Sequence, residues 1–457
     1  MTRQITAWTG GAALALALAT LGPGFAFAQD SNYWSLAYGT RAQLLGGVVT
    51  GSPGDISSAY YNPGALALTR NTELVLGGSA YQYQRVSVEG GSGPNRTLVS
   101  SSLGTAPTLF AGEVPVLEHD RLAYAFLSRQ QMNMEINARS TSGVESIAPI
   151  PNPVFAASDL HLHQDLGENW FGATWAHRLS SGLGIGVSPF LAVRSQDTQI
   201  SWITEGRDAA GNGAVLDLNR NYSYLHWRLL ARMGLSGTRD SLTYGVTLTT
   251  PSLGLFGSGA IHYNTSLVDQ TGTLGSVMGA SYQENLKSDY RSPFGADAGA
   301  SYGWGSTRVH LAVDWYAAVP RYTVIDGAPF TVNTPSGDST VTVTITDKLH
   351  AVFNWGIGLE HHFSPTLTGF ASYHTDRSGR DDSEQPGASV TSWDLNDVAA
   401  GTTWHVMRSD LAFGATAAFA SQPAPPLPIR PAGAGLPPTY HVNELIVTAL
   451  AAWKISF

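Results

Sequence analysis

"ELIVTALAAWKISF" (Glu444–Phe457) is the stretch that decides the fold, because apolar and polar residues alternate along most of its length. Alternation with a period of two places successive side chains on opposite faces of a β-strand. The apolar parity consists of Leu445, Val447, Ala449, Ala451, Trp453, Ile455 and Phe457. A strand with one apolar face suits a soluble β-sandwich as well as a barrel, so the period alone does not choose between them.

Strand length and the pattern of connections favour a barrel. Many of the predicted strands exceed about 15 residues, whereas strands of soluble proteins average about five or six. Tight turns such as "SSG" at 180–182 alternate along the chain with long connections such as "QPAPPLPIRPAGAGLPP" at 422–438. This pattern is typical of outer-membrane barrels and predicts an all-β fold, a monomeric transmembrane antiparallel β-barrel of about 14 strands.

The predicted strands cover 72–88, 97–112, 120–139, 158–180, 182–204, 219–238, 241–268, 278–303, 306–322, 341–362, 364–377, 391–407, 409–421 and 441–457. The range 241–268 crosses Pro251 and Gly254. Since proline donates no hydrogen bond to a ladder, we expect this strand to be broken or bulged.

The composition of the 457-residue chain excludes several classes of function. Charged residues make up 13%, and the net charge is −9 without a basic run, so nucleic acid is not an expected partner. The lack of Cys excludes disulfides, thiolate metal sites and a cysteine nucleophile. No G-x-S-x-G motif is present, and the pairs at 161/163 and 361/362 are histidines without an identifiable third ligand. The sequence therefore predicts neither an enzyme nor a metal or cofactor site.

The first 71 residues lack strand alternation and divide into two segments. Arg3, the apolar run at 12–21 and "AFA" at 26–28 are typical of a secretory signal peptide, predicted over 1–28. Residues 29–71 are rich in small residues, and we expect them to plug the lumen of the barrel formed by 72–457. Within this plug, Pro63 restricts Asn62 to extended backbone and Gly64 permits a positive φ. Asn62, Pro63 and Gly64 are therefore predicted to form the turn that holds the plug.

"DISSAYYNPGALAL" (Asp55–Leu68) resembles the end of the hatch segment in the FadL/TodX family, the outer-membrane transporters of long-chain fatty acids and other hydrophobic compounds. "YGVTLTTPSLGLFGSGAIHY" (Tyr244–Tyr263) and the region 292–316 are also similar to that family, and the final Phe457 resembles the terminal signature of outer-membrane barrels. The resemblance implies a bacterial outer-membrane location and passive uptake of hydrophobic or amphipathic molecules, either fatty acids or aromatic and aliphatic hydrocarbons. It also implies lateral release into the membrane lipid, through a gap at a kink in the third strand.

Departures from the family pattern leave a second function open. The family's Asn-Pro-Ala stands here as Asn-Pro-Gly at 62–64. The loops near 205–218 and 269–277 are short and polar, where family members often carry long apolar capture loops. The third strand has no Gly or Pro after Asp120 to mark a kink. The alternative function is therefore a structural or accessory barrel of the same fold, serving secretion or assembly.

Arginines predicted to face the lumen are the candidate ligand-binding residues. A Lys or Arg facing lipid at mid-membrane costs about 2–4 kcal/mol, which fixes the parity of "YSYLHWRLLARMG" at 222–234. Guanidinium groups bind a carboxylate bidentately, and aromatic rings can hold an apolar tail. Five residues are predicted to bind an acidic amphiphile: Arg129, Phe190, Arg194, Arg228 and Arg232. The alternative is that these arginines pair with lumen acids such as Asp314 and Glu360 and brace the hatch against the wall.

Overall fold

The computed structural model describes residues 32–52, 54–69, 73–76, 79–89, 97–107, 109–115, 118–141, 153–272, 275–381, 393–424 and 440–456. The predicted signal peptide and Phe457 lie outside these ranges. The described residues form three short helices, α1 (Thr40–Leu44), α2 (Ser58–Tyr61) and α3 (Pro63–Leu66), followed by 22 strands. No helix in this part of the chain is long and apolar enough to cross a membrane.

The strands are β1 (Glu73–Leu76), β2 (Ser79–Glu89), β3 (Thr97–Pro107), β4 (Leu109–Pro115), β5 (Asp120–Thr141), β6 (Phe155–Ser180), β7 (Leu183–Arg207), β8 (Gly213–Arg239), β9 (Leu242–Thr249), β10 (Leu253–Asp269), β11 (Val277–Lys287), β12 (Gly295–Trp304), β13 (Thr307–Tyr316), β14 (Val319–Asp326), β15 (Phe330–Thr334), β16 (Gly337–Val341), β17 (Thr344–Leu349), β18 (Val352–Ser364), β19 (Leu367–Asp376), β20 (Leu395–Val406), β21 (Ser409–Ala424) and β22 (Tyr440–Ser456).

Antiparallel pairing closes these strands into a barrel of 14 wall strands, which confirms the predicted fold. The first wall strand, formed by β1 and β2, pairs with β22 and so closes the cylinder. The second wall strand comprises β3 and β4, and the seventh and eighth are each interrupted once, between β9 and β10 and between β11 and β12. The seventh is interrupted at 250–252, which contains Pro251, so the break predicted there is confirmed.

The two ends of the barrel differ. Tight connections such as 181–182, 240–241 and 305–306 lie at one end, called here the turn end, and the longer connections lie at the loop end. Beyond the loop ends of β13 and β18, residues 319–349 fold into a loop-end hairpin in which β14 pairs with β17 and β15 with β16.

The outer face of the wall is apolar where the inner face is polar. On β8, Leu225, Leu229 and Met233 are 43%, 41% and 44% exposed, whereas Arg228 and Arg232 on the opposite face are 0% and 3% exposed. The cost of a lipid-facing charge predicts that these arginines point inward, and the structure shows them buried on the inner face. Large apolar side chains of neighbouring strands extend this outer band: Phe171, Trp175, Val246, Leu248, Leu311, Trp315, Trp355, Ile357, Phe413 and Trp453.

Residues 32–52 and 54–69, called here the plug or hatch, fill the lumen and bind to the wall through hydrogen bonds and an ion pair. Asp376 Oδ1 in β19 accepts hydrogen bonds from the backbone N–H groups of Tyr33 and Trp34, both at 3.0 Å. On α1, Arg41 forms an ion pair with Glu360 of β18 at 2.6 Å. Glu360 thus braces the hatch, as one alternative predicted, but its partner is a hatch arginine instead of a wall arginine.

The Asn-Pro-Gly turn packs directly on the wall backbone. Asn62 is extended (φ −155°, ψ 96°) and caps α3. Its Oδ1 accepts from the N–H of Gly64 at 3.1 Å and its Nδ2 donates to the carbonyl of Leu235 at 2.9 Å. Gly64 lies within α3, so the predicted positive φ is wrong. Glycine is required there for space instead, because a Cβ would lie 2.6 Å from the carbonyl oxygens of Gly184 and Gly234.

Candidate functional site

The two faces of β6 exchange polarity along the strand. Near the loop end, Leu160 and Leu162 are buried, while His161 between them is partly exposed on the outer face. Toward the turn end, that same odd-numbered face carries the exposed Phe171 and Trp175. The loop-end part of β6 is therefore apolar inside and polar outside, the reverse of the part that belongs to the apolar outer band.

Strands β5 to β8 are long enough to extend beyond a membrane. They contain 22, 26, 25 and 27 residues, whereas a transmembrane strand needs about 9–11. Apolar side chains on the inner faces of their loop-end parts pack with side chains of β10 and of the loop-end hairpin in one cluster. It is called here the outer apolar cluster, because it lies toward the loop end. Its members include Met132, Met134, Ile136, Leu160, Leu162, Leu166, Ile200, Trp202, Leu216, Leu218, Ile261, Tyr263, Val324, Ile325 and Ile345.

The outer apolar cluster was missed in the sequence, although a signal for it exists. In "DLHLHQDLGENWFGATW" (159–175), the apolar parity is even-numbered at the start and odd-numbered at the end. The segment 205–218, interpreted as a polar loop, proves to be mostly strand: β7 ends at Arg207, β8 begins at Gly213, and five residues connect them. The segment 269–277 is the connection between β10, which ends at Asp269, and β11, which begins at Val277. Family members often carry an apolar surface on long loops, whereas in this chain an apolar surface lies on the inner faces of the extended strands.

The structure places all five predicted ligand-binding residues inside the wall and brings two of the arginines together. Arg194 Nη1 donates to Glu168 Oε2 at 3.0 Å, and Arg228 Nη2 lies 2.5 Å from Glu168 Oε1. Both guanidinium groups stack on Tyr290, with Cζ 4.3 and 4.4 Å from the ring centre. Since two guanidinium groups share the Glu168 carboxylate, this arginine pair has an excess of positive charge.

Parts of the arginine pair are left without protein partners. Arg194 Nη2 and Arg228 Nη1 are buried and have no hydrogen-bond partner among the residues that the structure describes. A buried polar atom left unpaired costs about 1–3 kcal/mol, so an anion that bound here would recover part of that cost.

Arg232 and Arg129 contact the plug, whereas Phe190 packs within the wall. Arg232 forms an ion pair with Asp297, and its guanidinium stacks on Tyr60 of the hatch at 4.3 Å. Arg129 Nη2 donates to the carbonyl of Tyr33 at 2.6 Å. The partner proposed from the sequence, Asp314, is replaced by Asp297, because the register of β8, β9 and β12 decides which acid meets Arg232. Phe190 packs against Trp170, with ring centres 5.3 Å apart.

The third wall strand carries a β-bulge despite its lack of Gly and Pro. The register between β5 and β6 shifts between Ser128 and Gln130, which makes Arg129 the extra residue of a β-bulge. Within the described residues, β4 forms a ladder with β5, but β3 forms none. The wall is therefore irregular on this side.

At least one histidine of each pair contacts a neighbouring polar side chain of the wall. His161 and His163 are on the outer face, and His161 Nδ1 lies 2.6 Å from Asn137 Oδ1. His361 Nδ1 contacts Thr307 Oγ1 at 2.8 Å. Among the described residues, no group of three His, Cys, Asp or Glu side chains could hold a metal ion.

Comparison with known proteins identifies the fold. No protein-family model matches the chain, and no curated protein sequence matches it. The solved structure of the Pseudomonas putida toluene transporter TodX is 13% identical and superposes with a TM-score of 0.58, covering 92% of this chain and 99% of that one. The chain has the FadL/TodX fold. A Pseudomonas aeruginosa FadL homologue (10% identity, TM-score 0.57) covers 93% of this chain and 100% of its own length.

A third structure with the FadL/TodX fold is the Ralstonia pickettii toluene transporter TbuX, which is 10% identical with a TM-score of 0.55 and covers 92% of this chain and 98% of its own. At these identities the likeness establishes the architecture alone.

Proposed function

We propose that this protein is a bacterial outer-membrane channel, acting as a monomer, that admits hydrophobic or amphipathic small molecules without catalysis. The observation that carries the proposal is the outer apolar cluster. A water-filled porin has a polar interior, whereas here the inner side of the wall near the loop end carries buried Leu, Ile, Met and Trp side chains. Such a surface offers nothing to a sugar or an ion but attracts a molecule with exposed apolar area.

The magnitudes support a slot for apolar molecules. Each buried methylene contributes about 0.8 kcal/mol, so a long acyl chain gains strongly on moving from water into this cluster. The hatch below it prevents simple flow through the lumen, because its residues bind the wall on several sides. A molecule held between the cluster and the hatch would leave most directly sideways, into the membrane lipid.

The arginine pair favours an amphipathic acid over a neutral hydrocarbon. TodX and TbuX are toluene transporters, and the Pseudomonas aeruginosa structure is a FadL homologue, so the fold itself is compatible with either class. In this chain Arg194 and Arg228 share the carboxylate of Glu168, which leaves positive charge beneath the apolar cluster. A carboxylate head near the pair and an acyl tail in the cluster would satisfy both features.

Uptake by cells tests the proposal with a matched pair of variants. Leu162 is 1% exposed within the cluster, and the next residue, His163, lies on the outer face of the same strand. We expect Leu162→Asp to reduce uptake of hexadecanoic acid toward the level of cells that lack the gene, and His163→Asp to leave it unchanged. A folded barrel migrates differently on detergent gels before and after boiling. This difference, measured for both variants, checks that they assemble.

Cells with and without the gene decide between the proposal and an accessory barrel. If hexadecanoic acid, toluene and an alkane all enter equally fast in both strains, the protein is not a channel for them. The accessory role in secretion or assembly would then be the better explanation.

A further inference from the structure

The ladder between the seventh and eighth wall strands is interrupted midway. Toward the turn end, β9 and β12 pair as far as Gly295. Toward the loop end, the pairing of β10 with β11 resumes at Ser258. Between these two ladders, residues 250–257 and 288–294 form no continuous pairing, although every residue of both segments is described. This break is distinct from the bulge in the third wall strand.

A cleft of 630 Å³ occupies the break and opens on the outer surface of the barrel. Its lips are apolar: Leu253 and Phe256 are 66% and 61% exposed. Leu253 is paired with Leu229, a member of the apolar outer band, so the mouth lies at the level of the membrane.

The floor of the cleft is polar and leads to the arginine pair. His226 lines it, is 2% exposed, and its Nδ1 has no hydrogen-bond partner among the described residues. Ser292, which also lines it, accepts a hydrogen bond from Arg228 Nε at 3.1 Å. Two contacts cross the break. At its loop-end edge the N–H of Ser288 donates to the carbonyl of Gly257 at 3.4 Å. Further toward the turn end, the N–H of Ser292 donates to Ser252 Oγ at 2.8 Å and the N–H of Ser252 donates to the carbonyl of Ser292 at 3.3 Å.

The charges around the cleft favour an anion. Lys287 and Arg291 also line the cleft, and Arg228 lies behind Ser292. Asp289 opposes them and forms an ion pair with Arg291 at 2.9 Å. Positive groups therefore outnumber negative ones where an apolar mouth meets a buried polar floor.

We propose that this break is a side port between the lumen and the membrane, through which an anionic single-chain amphiphile such as a fatty acid crosses the wall. Its head contacts His226 and Ser292, and its tail lies between Leu253 and Phe256. The Ser252–Ser292 pair is the latch that separates the cleft from the arginine pair. This inference rests on the proposed uptake function and assigns the exit to the seventh and eighth wall strands.

A reversible disulfide tests the latch. The chain has no cysteine, so Ser252→Cys with Ser292→Cys introduces one bridge across the port on a clean background. The matched control is Thr243→Cys with Ser301→Cys, which joins the same two wall strands within the intact ladder, where the hydroxyls are 2.6 Å apart. Oxidation of the port bridge should abolish uptake of hexadecanoic acid, and reduction should restore it. The control should take up acid equally in both states.

Photolabelling of the purified barrel tests the port independently of transport. A hexadecanoic acid with a diazirine in its tail should label residues 251–257. A Cβ at Gly254 would lie 3.3 Å from His226 Nε2, so Gly254→Phe fills the cleft and should remove the label. Gly167→Phe is the control, because a Cβ there meets nothing within 4 Å.

The two experiments separate the possible failures. If label appears around Arg129 in the third wall strand and not at 251–257, or if the oxidised port bridge leaves uptake unchanged, the port is overturned while the channel function stands. If cells gain no uptake from the unmodified protein but the purified barrel is labelled at 251–257, the port holds as a binding site and the channel function fails.

Discussion

Removal of the Glu168 carboxylate is the sharpest perturbation of the lumen. Glu168 is 2% exposed and contacts three donors: Arg194 Nη1 at 3.0 Å, Arg228 Nη2 at 2.5 Å and Trp170 Nε1 at 2.6 Å. In Glu168→Gln, two fully buried guanidinium groups stacked on one tyrosine ring lose their counter-charge. Breaking a buried ion pair in this way costs about 3–5 kcal/mol, which lowers the folding equilibrium constant by roughly 10²- to 10⁴-fold.

Urea titration of the barrel in lipid vesicles, followed by tryptophan fluorescence, measures this loss. Glu205→Gln, at an exposed position on β7, is the control and should change the free energy of unfolding by less than about 0.5 kcal/mol. Adding Arg194→Gln to Glu168→Gln should recover part of the stability, because one of two like charges is removed. A loss below about 1 kcal/mol, or additive losses in the double variant, would refute the arrangement described here.

Three further predictions concern the ligand, the plug and the loop-end hairpin. Arg228→Ala should weaken binding of a fatty acid by about ten- to a hundredfold while the matching alcohol is affected far less, as judged by calorimetry on the folded barrel; equal losses would mean that the arginine only braces the wall. Gly64→Ala should loosen the plug and raise single-channel conductance, because a Cβ at that position overlaps two wall carbonyl oxygens. Deletion of 29–60 should raise the conductance as well, because it removes most of the plug. Unchanged conductance in the deletion variant would show that the segment is no plug. Burial raises the pKa of Asp347 to about 6, above the roughly 3.9 of a free side chain, so the neutral form is favoured and the hairpin should lose stability as pH rises from about 4 through 6. Hydrogen exchange across 319–349, corrected for intrinsic rates, should show this trend in the native protein and lose it in Asp347→Asn.

The sequence by itself determined the barrel and the parity of its strands. Tight turns that alternate with long connections specified about 14 antiparallel strands. The alternation in segments such as Glu444–Phe457 specified which side chains share a face, because side-chain direction in a strand depends only on residue number. The cost of a lipid-facing guanidinium likewise directed Arg194, Arg228 and Arg232 inward, as observed. Pro251 marked the interruption of the seventh wall strand for a local reason, its missing N–H.

Only the tertiary structure decided which inward groups meet. Glu168 reaches both arginines because β6, β7 and β8 pair in one register, with Glu168 opposite Arg194 and Arg194 opposite His226. Register between strands depends on the whole closed sheet, so no local pattern in the sequence specifies these pairs. Tyr290 joins them because the eighth wall strand leaves its ladder between β11 and β12, which also produces the cleft. The sequence thus determined the direction of each side chain, whereas its neighbours across the lumen were fixed by barrel closure and by the hatch packed inside.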